Sequence, residues 1–291
     1  MSESRWFSET LHPGVRVSYE ARRVLHSEET PHQKLALIEN EAFGKVLLLD
    51  EVIQVTTADE FIYHEMLAHV PILGHGAAAD VLIIGGGDCG LAEEVLKHRS
   101  VRSLTQVEID GAVVDFAREH FAEFNAPVFG DDRFQLEIAD GARFVVETDR
   151  RFDIVLVDST DPIGPGAVLF TEAFYGGVQR CLKPGGIMAA QNSVPFLQHK
   201  EFVSAVSAMS GAFPVVSAYV VAVPGYFGGH MTLGWASESR DALDVPVEEL
   251  RQRFAQADIA TRYYTPEVHA AAFALPRYIL EALDEGLAAD R

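Results

Sequence analysis

The sequence predicts an α/β protein: a doubly wound parallel sheet ending in an antiparallel hairpin, preceded by a small antiparallel β-domain. Three observations lead there. Short apolar runs of period two, separated by Gly, Pro and Asn, occupy the first 75 residues. From Asp80 onward, strand-like apolar runs alternate with helical stretches. Two further strand runs, at 214–223 and 230–236, follow one another with no helix between them. The expected division is a β-domain over 1–75 and a catalytic domain with a helical tail over 76–291.

Taken in order, residues 15–19, 35–39, 45–49 and 52–55 carry the alternation of half-buried strands. Residues 59–69 have helical character, and this helix is expected to end near Pro71, whose ring and missing N–H oppose continuation. Val81-Leu82-Ile83-Ile84 reads as a strand buried on both faces. Strands are then expected at 104–108, 134–138, 153–157 and 186–190, with helices over 111–121 and 171–182 among them. This alternation implies right-handed crossovers. The closing hairpin turns at Pro224-Gly225-Tyr226-Phe227-Gly228-Gly229, and the chain is mostly helical from about Val247.

Composition narrows the function classes. A hydrophobic share of 48% in 291 residues fills a sizeable core. No run approaches the roughly 18–20 apolar residues of a membrane helix, and the N-terminus lacks the apolar stretch of a signal peptide. Two cysteines, Cys89 and Cys181, imply no disulfide framework, so a cytoplasmic location is expected. A formal net charge of −20 argues against nucleic acid and anionic membrane as partners. Most such acidity is solvated surface, so bulk charge does not by itself name a cationic substrate.

Gly85-Gly86-Gly87-Asp88-Cys89-Gly90 follows the first buried strand and opens a helix, an arrangement that lets backbone turn tightly and approach a nucleoside ligand. Glu108 closes the second strand, where a carboxylate can accept ribose hydroxyls. To this point a dinucleotide and an S-adenosyl ligand fit equally. Asp140, after the third strand, either receives an adenine amine, caps the helix opening at Gly141, or does both. The closing hairpin is typical of the Rossmann-like sheets of S-adenosyl-dependent transferases. Asp88 adds chemistry: a carboxylate within the loop repels a pyrophosphate and suits a ligand with a cationic tail.

Asp158-Ser159-Thr160-Asp161-Pro162 places two carboxylates at the carboxyl end of the fourth strand, where such sheets bind ligands. The Pro- and Gly-rich residues that follow, through Gly166, form an irregular segment able to close over a substrate. In His64-Glu65-Met66-Leu67-Ala68-His69 the histidines are not spaced as in H-E-x-x-H, so no metal site is expected. Cys89, at a helix N-terminus, reads as a packed small residue, although that position can lower a thiol pKa.

These motifs together resemble the spermidine synthases. The matching runs are His32-Gln33, Gln54, Glu60-Phe61-Ile62-Tyr63-His64-Glu65, Gly85-Gly86-Gly87-Asp88, Val107-Glu108-Ile109-Asp110 and Asp140-Gly141. They continue through Asp158-Ser159-Thr160-Asp161-Pro162-Ile163-Gly164-Pro165 to Ala272-Phe273-Ala274-Leu275-Pro276 and span nearly the whole chain. The resemblance implies aminopropyl transfer from decarboxylated S-adenosylmethionine, a co-substrate, to a diamine such as putrescine, with no further cofactor and no metal. It implies that Gln33, Glu108, Asp140 and Gly141 hold the adenosine part, with Pro165 near it, and that Asp88 binds the aminopropyl amine. Tyr63, His64, Asp161 and Tyr226 would line the diamine channel, with Gln54 and Trp6 nearby and Asp158 as the base. A homodimer through the N-terminal domain is also implied. Three positions depart from the family pattern: Cys89 stands where glycine is usual, Glu93 where arginine is usual, and Gly225 where threonine is frequent. A small-molecule methyltransferase, a polyamine-binding regulator and an NAD-dependent dehydrogenase are the competing readings.

Overall fold

The computed structural model describes residues 5–30, 33–162 and 164–289. His32 and Ile163, which belong to the matching runs above, lie outside them. In the N-terminal part, β1 (Arg5–Glu9) pairs antiparallel with β2 (Val17–Ala21). A four-stranded antiparallel meander follows: β3 (Arg23–Glu29), β4 (Lys34–Asn40), β5 (Gly44–Leu49) and β6 (Val52–Thr56). The runs at 35–39, 45–49 and 52–55 are strands as expected, and the first run shifts to Val17–Ala21. Strands β1 and β3 were not anticipated, because their polar and charged residues mask the alternation.

Period-two patterning gives the meander two apolar faces. Leu35, Leu37, Leu47, Leu49 and Val55 form one cluster, while Ile38, Val46, Leu48 and Ile53 join Tyr19 and Ala21 of β2 in another. The first cluster also takes in Val113, Phe116 and Ala117, so the meander packs directly on a helix of the following α/β unit.

The helix α1 (Glu60–His75) runs through Pro71 rather than ending before it. Its residues 63–74 are all buried. Apolar burial on every side outweighs the roughly 3 kcal/mol that an interior proline costs. The helix ends at Gly76, whose φ of 76° is the left-handed cap. Buried Glu65 receives the backbone N–H groups of Arg262, Tyr263 and Tyr264 at 2.6, 2.8 and 2.7 Å, tying the C-terminal region to this helix.

Beyond α1 the chain builds β7 (Asp80–Gly85), α2 (Gly90–Lys97), β8 (Ser103–Glu108), α3 (Gly111–His120), the short α4 (Ala122–Asn125) and β9 (Phe134–Ile138). Next come α5 (Gly141–Glu147), β10 (Phe152–Asp158), α6 (Glu172–Cys181), β11 (Leu182–Gln191), α7 (His199–Ala212), β12 (Val215–Val221) and β13 (Met231–Ser237). The tail is α8 (Val247–Ala257), α9 (Pro266–Ala272) and α10 (Arg277–Ala288). The seven strands are ordered β12-β13-β11-β10-β7-β8-β9, with β13 antiparallel to both its neighbours and the remaining pairs parallel. Alternate residues of β7 face opposite clusters, Val81 and Ile83 one way and Leu82 and Ile84 the other. That accounts for its uninterrupted apolar run. Strands β7, β8, β9 and β10 all end at one edge, which brings the glycine loop, Glu108, Asp140 and Asp158 together. No helix among the described residues is long and apolar enough to cross a membrane.

The Glu65 clamp gives a stability prediction. Glu65→Ala leaves three backbone donors without their acceptor, and each such loss costs about 1–3 kcal/mol. Urea denaturation should show destabilisation of roughly 3 kcal/mol or more, whereas a loss below about 1 kcal/mol would mean water replaces the carboxylate freely.

Candidate functional site

The carboxyl edge of the large sheet and the N-terminal strands enclose a cleft of about 400 Å³. Its geometry starts from the glycine loop. Gly85 and Gly86 have φ of 86° and 68°, and the Gly86 N–H donates to the Asp158 carbonyl at 2.9 Å. A Cβ on Gly85 would lie 2.1 Å from that carbonyl oxygen, and one on Gly86 would lie 2.9 Å from Asp158 Oδ2. Only glycine permits both the dihedrals and the approach. From behind, the buried Gln106 amide donates to the carbonyls of Gly85 and Gly86 at 2.9 and 2.5 Å.

Gln33, Glu108, Asp140 and Gly141 lie together on the cleft wall. Glu108 Oε1 accepts the Asp110 N–H at 2.8 Å, and burial pushes this carboxyl up to about 7 against that bond and the one from Ile109. Gln33 donates to Asp110 Oδ2 at 3.3 Å, which fixes it beside the Glu108 turn. Asp140 caps α5, accepting from Ala142 N at 2.8 Å and Arg143 N at 3.3 Å. The capping role therefore holds, and the carboxylate still lies on the wall. The turn and helical segment Gly164–Phe170 carries Pro165.

The second group surrounds Asp158. Tyr63 donates its hydroxyl to Asp158 Oδ1 at 2.8 Å, and the Tyr226 ring meets Tyr63 edge-on at 6.1 Å. Burial and the Asp88 charge push Asp158 up to about 6, against the opposing effects of His64 and the Tyr63 bond. Asp88 accepts the Gly90 N–H at 2.7 Å, and burial raises it as well. His64 is not on the cleft wall where it was expected. It is 2% exposed, with Nδ1 2.9 Å from Glu60 and Nε2 3.6 Å from Asp88. Burial pulls this imidazole down, but Asp88, Glu60 and Asp158 together overcome it and lift it to about 10. His64 is thus a buried cation behind Asp88.

Asp161, Gln54 and Tyr226 also lie on the wall, Tyr226 donating to the Gln54 carbonyl at 2.5 Å. Trp6 does not; it is 58% exposed on β1. Sequence reasoning missed four wall residues here. Gln198 donates to Asp161 Oδ1 at 2.5 Å while its own carbonyl takes the Val194 N–H. Glu9, raised chiefly by burial, accepts the Ile53 N–H at 2.9 Å, and His12 sits near it. Gln191 is 7% exposed, and its Oε1 has no hydrogen-bond partner among the described residues. None of the four carried a signal in its local sequence: Glu9 ends a strand whose polar residues mask its alternation, and His12, Gln191 and Gln198 look like any other polar residue.

Across the described wall stand six carboxylates, Glu9, Asp88, Glu108, Asp140, Asp158 and Asp161, with no lysine or arginine. Two of the family departures are placed by the structure. Cys89 is fully buried with a φ of 62°, the left-handed region that explains why glycine is the usual residue there. Its thiol is pushed up by burial and by Asp88, so the helix N-terminus does not activate it. Glu93 pairs with Lys97 at 3.0 Å. Among the described residues no group of three or more His, Cys, Asp or Glu is arranged to hold a metal ion, and Glu65 is occupied by backbone donors.

Residues 60–245 match the spermine/spermidine synthase domain, and residues 5–57 match the spermidine synthase tetramerisation domain. A polyamine aminopropyltransferase of Pseudomonas aeruginosa is 50% identical over 277 residues, covering 95% of this chain and 97% of its own. One from a Ruegeria species is 50% identical over 279 residues, covering 96% and 98%. Among solved structures, a spermidine synthase in complex with the transition state analogue AdoDATO superposes with a TM-score of 0.91 at 35% identity, covering 96% of this chain and 95% of the other. The spermidine synthase of Thermotoga maritima gives 0.88 at 34% identity, covering 96% and 94%. With residues 5–57 and 60–245 matching the two family domains, and half of the aligned residues identical to those of the two aminopropyltransferases, the chain belongs to the spermine/spermidine synthase family and is a polyamine aminopropyltransferase.

Proposed function

We propose that the protein transfers the aminopropyl group of decarboxylated S-adenosylmethionine to putrescine, giving spermidine and methylthioadenosine. The observation that carries this reading is the wall of six carboxylates without a lysine or arginine. Such a cleft favours cations and disfavours the carboxylate of intact S-adenosylmethionine or the pyrophosphate of a dinucleotide. Glu108 accepts the ribose hydroxyls, Gln33, Asp140 and Gly141 hold the adenine side with Pro165 nearby, and Asp88 faces the aminopropyl ammonium. Asp161 anchors the distal ammonium of the diamine, with Gln54, Tyr63 and Tyr226 along its length. His64 acts from behind, its charge opposing the burial that raises Asp88.

The chemistry needs alignment and one proton acceptor. The attacking amine enters as an ammonium with a pKa near 10 and must lose a proton. Asp158 takes it, and Tyr63 holds the carboxylate by its other oxygen. The nitrogen then forms a bond to the carbon next to sulfur as the C–S bond breaks, its electrons returning to sulfur to leave a neutral thioether. The sulfonium is already an activated leaving group, so this reading needs no metal and no cofactor beyond the donor. The tetramerisation-domain match supports self-association through the N-terminal strands, at least as a homodimer.

A panel of diamines incubated with decarboxylated S-adenosylmethionine, read by product mass, tests the reaction directly. Putrescine should give spermidine; methyl transfer from S-adenosylmethionine with no alkylated diamine would point to a methyltransferase. Asp158→Asn should lower kcat by at least about 10²–10⁴-fold with methylthioadenosine binding preserved. Because the base works deprotonated, kcat/KM of the parent enzyme should fall as pH drops through about 6.

Glu108 supplies a second test. Its folded pKa of about 7 lies above its ordinary 4.5, so its stability contribution is present at low pH and lost as pH rises through 7. Glu108→Gln should therefore be more stable than the parent at pH 8, by on the order of 3 kcal/mol, with the gap closing near pH 4. The same change should weaken methylthioadenosine binding about tenfold or more. Equal urea midpoints at pH 8 would contradict the burial cost assigned to this carboxylate.

A further inference from the structure

We infer that Asp59 is a positioning residue for the acceptor site, holding the loop that carries Tyr226; the inference rests on the functional reading above. Asp59 occupies the N-cap of α1, yet its side chain makes no capping bond to that helix. An aspartate at this position ordinarily accepts from the first turn. Here the carboxylate is 5% exposed and is used elsewhere. Oδ1 accepts the Thr56 hydroxyl at 2.6 Å, and Oδ2 accepts the Gly225 N–H at 2.6 Å. One carboxylate thus joins the end of β6 and the start of α1 to the loop between β12 and β13, which are distant in sequence.

Two more bonds run between the same parts. Tyr19 of β2 donates to the Gly225 carbonyl at 3.4 Å, and Tyr226 donates to the Gln54 carbonyl on β6 at 2.5 Å. Gly225, the residue before Tyr226, is therefore held at its N–H by the turn after the N-terminal strands and at its carbonyl by β2. Tyr226 then packs edge-on against Tyr63, which donates to Asp158. Of these contacts the Asp59 bond is short, charge-assisted and buried, the kind that fixes geometry most firmly. Glycine at 225 suits this grip: a Cβ there would sit 3.0 Å from Asp59 Oδ2 and 3.4 Å from Thr56 Cγ2. Asp59 itself is not on the cleft wall, whereas Gly225 and Tyr226 are, so its effect passes through the loop that carries them.

Steady-state kinetics with putrescine and decarboxylated S-adenosylmethionine, together with methylthioadenosine titration, test this. Asp59→Ala should raise the putrescine KM about tenfold. Methylthioadenosine affinity should stay within about twofold, because the donor side does not depend on the loop. Asp59→Asn keeps an acceptor for the Gly225 N–H and should restore most of the loss. Gly225→Ala retains the carboxylate but crowds it, and should raise the same KM in a folded protein even if Asp59→Ala does not fold. In a Tyr226→Phe background the further effect of Asp59→Ala should shrink, as expected of groups acting in series. An unchanged putrescine KM in both Asp59→Ala and Gly225→Ala, or an equal loss of methylthioadenosine affinity, overturns the assignment. If the parent alkylates no diamine, the functional reading fails and this inference fails with it.

Discussion

The site depends on how closely the backbone of Gly85 and Gly86 lies against the end of β10. That approach puts the Gly86 N–H on the Asp158 carbonyl and brings Asp88 close enough that its charge raises the cost of ionising Asp158. Two desolvated carboxylates without a nearby lysine or arginine are unfavourable in the free protein. Their compensation comes from His64, a buried imidazolium shared with Glu60, and from the Tyr63 hydroxyl. The fold accepts this cost because the central strands β7 and β10 pack into apolar clusters on both faces and α1 is enclosed over most of its length. A bound ligand with two positive groups would relieve the same repulsion, which is how structure and substrate chemistry meet.

The N-terminal strands complete the cleft instead of merely preceding it. Glu9, His12, Gln33 and Gln54 all reach its wall, and the meander is held against α3 by one continuous apolar cluster. Glu108, Asp140 and Asp158 rest on the parallel sheet, whose strand ends fix each carboxylate. The side of the cleft around Tyr226 is assembled from strands, the turn at Asp59 and the loop between β12 and β13. Its geometry therefore depends on hydrogen bonds between parts far apart in the chain.

That difference decides what could be read from the sequence. Glu108 and Asp158 end their strands and Asp140 lies just beyond one, and strand ends are legible because apolar runs and glycines mark them. The strands of the large sheet accordingly fell close to their expected places, and the closing hairpin paired as read. Helix α1 passed its expected end because tertiary burial overrode the local preference of Pro71. His64 carries a motif position but lies behind Asp88, since on α1 its ring points toward Glu60, one helical turn away. Gln191, Gln198 and Glu9 reach the cleft through tertiary placement alone, and no local pattern distinguishes them from other polar residues.

The central claim is that buried negative charge selects the ligand, and donor discrimination tests it most directly. Calorimetric titration of the protein with decarboxylated S-adenosylmethionine and, separately, with S-adenosylmethionine compares two ligands that differ by one carboxylate. The account predicts at least about 100-fold tighter binding of the decarboxylated form, since the added carboxylate would enter a cleft already lined by Asp88 and Asp158. Equal affinity, or tighter binding of S-adenosylmethionine, would contradict it.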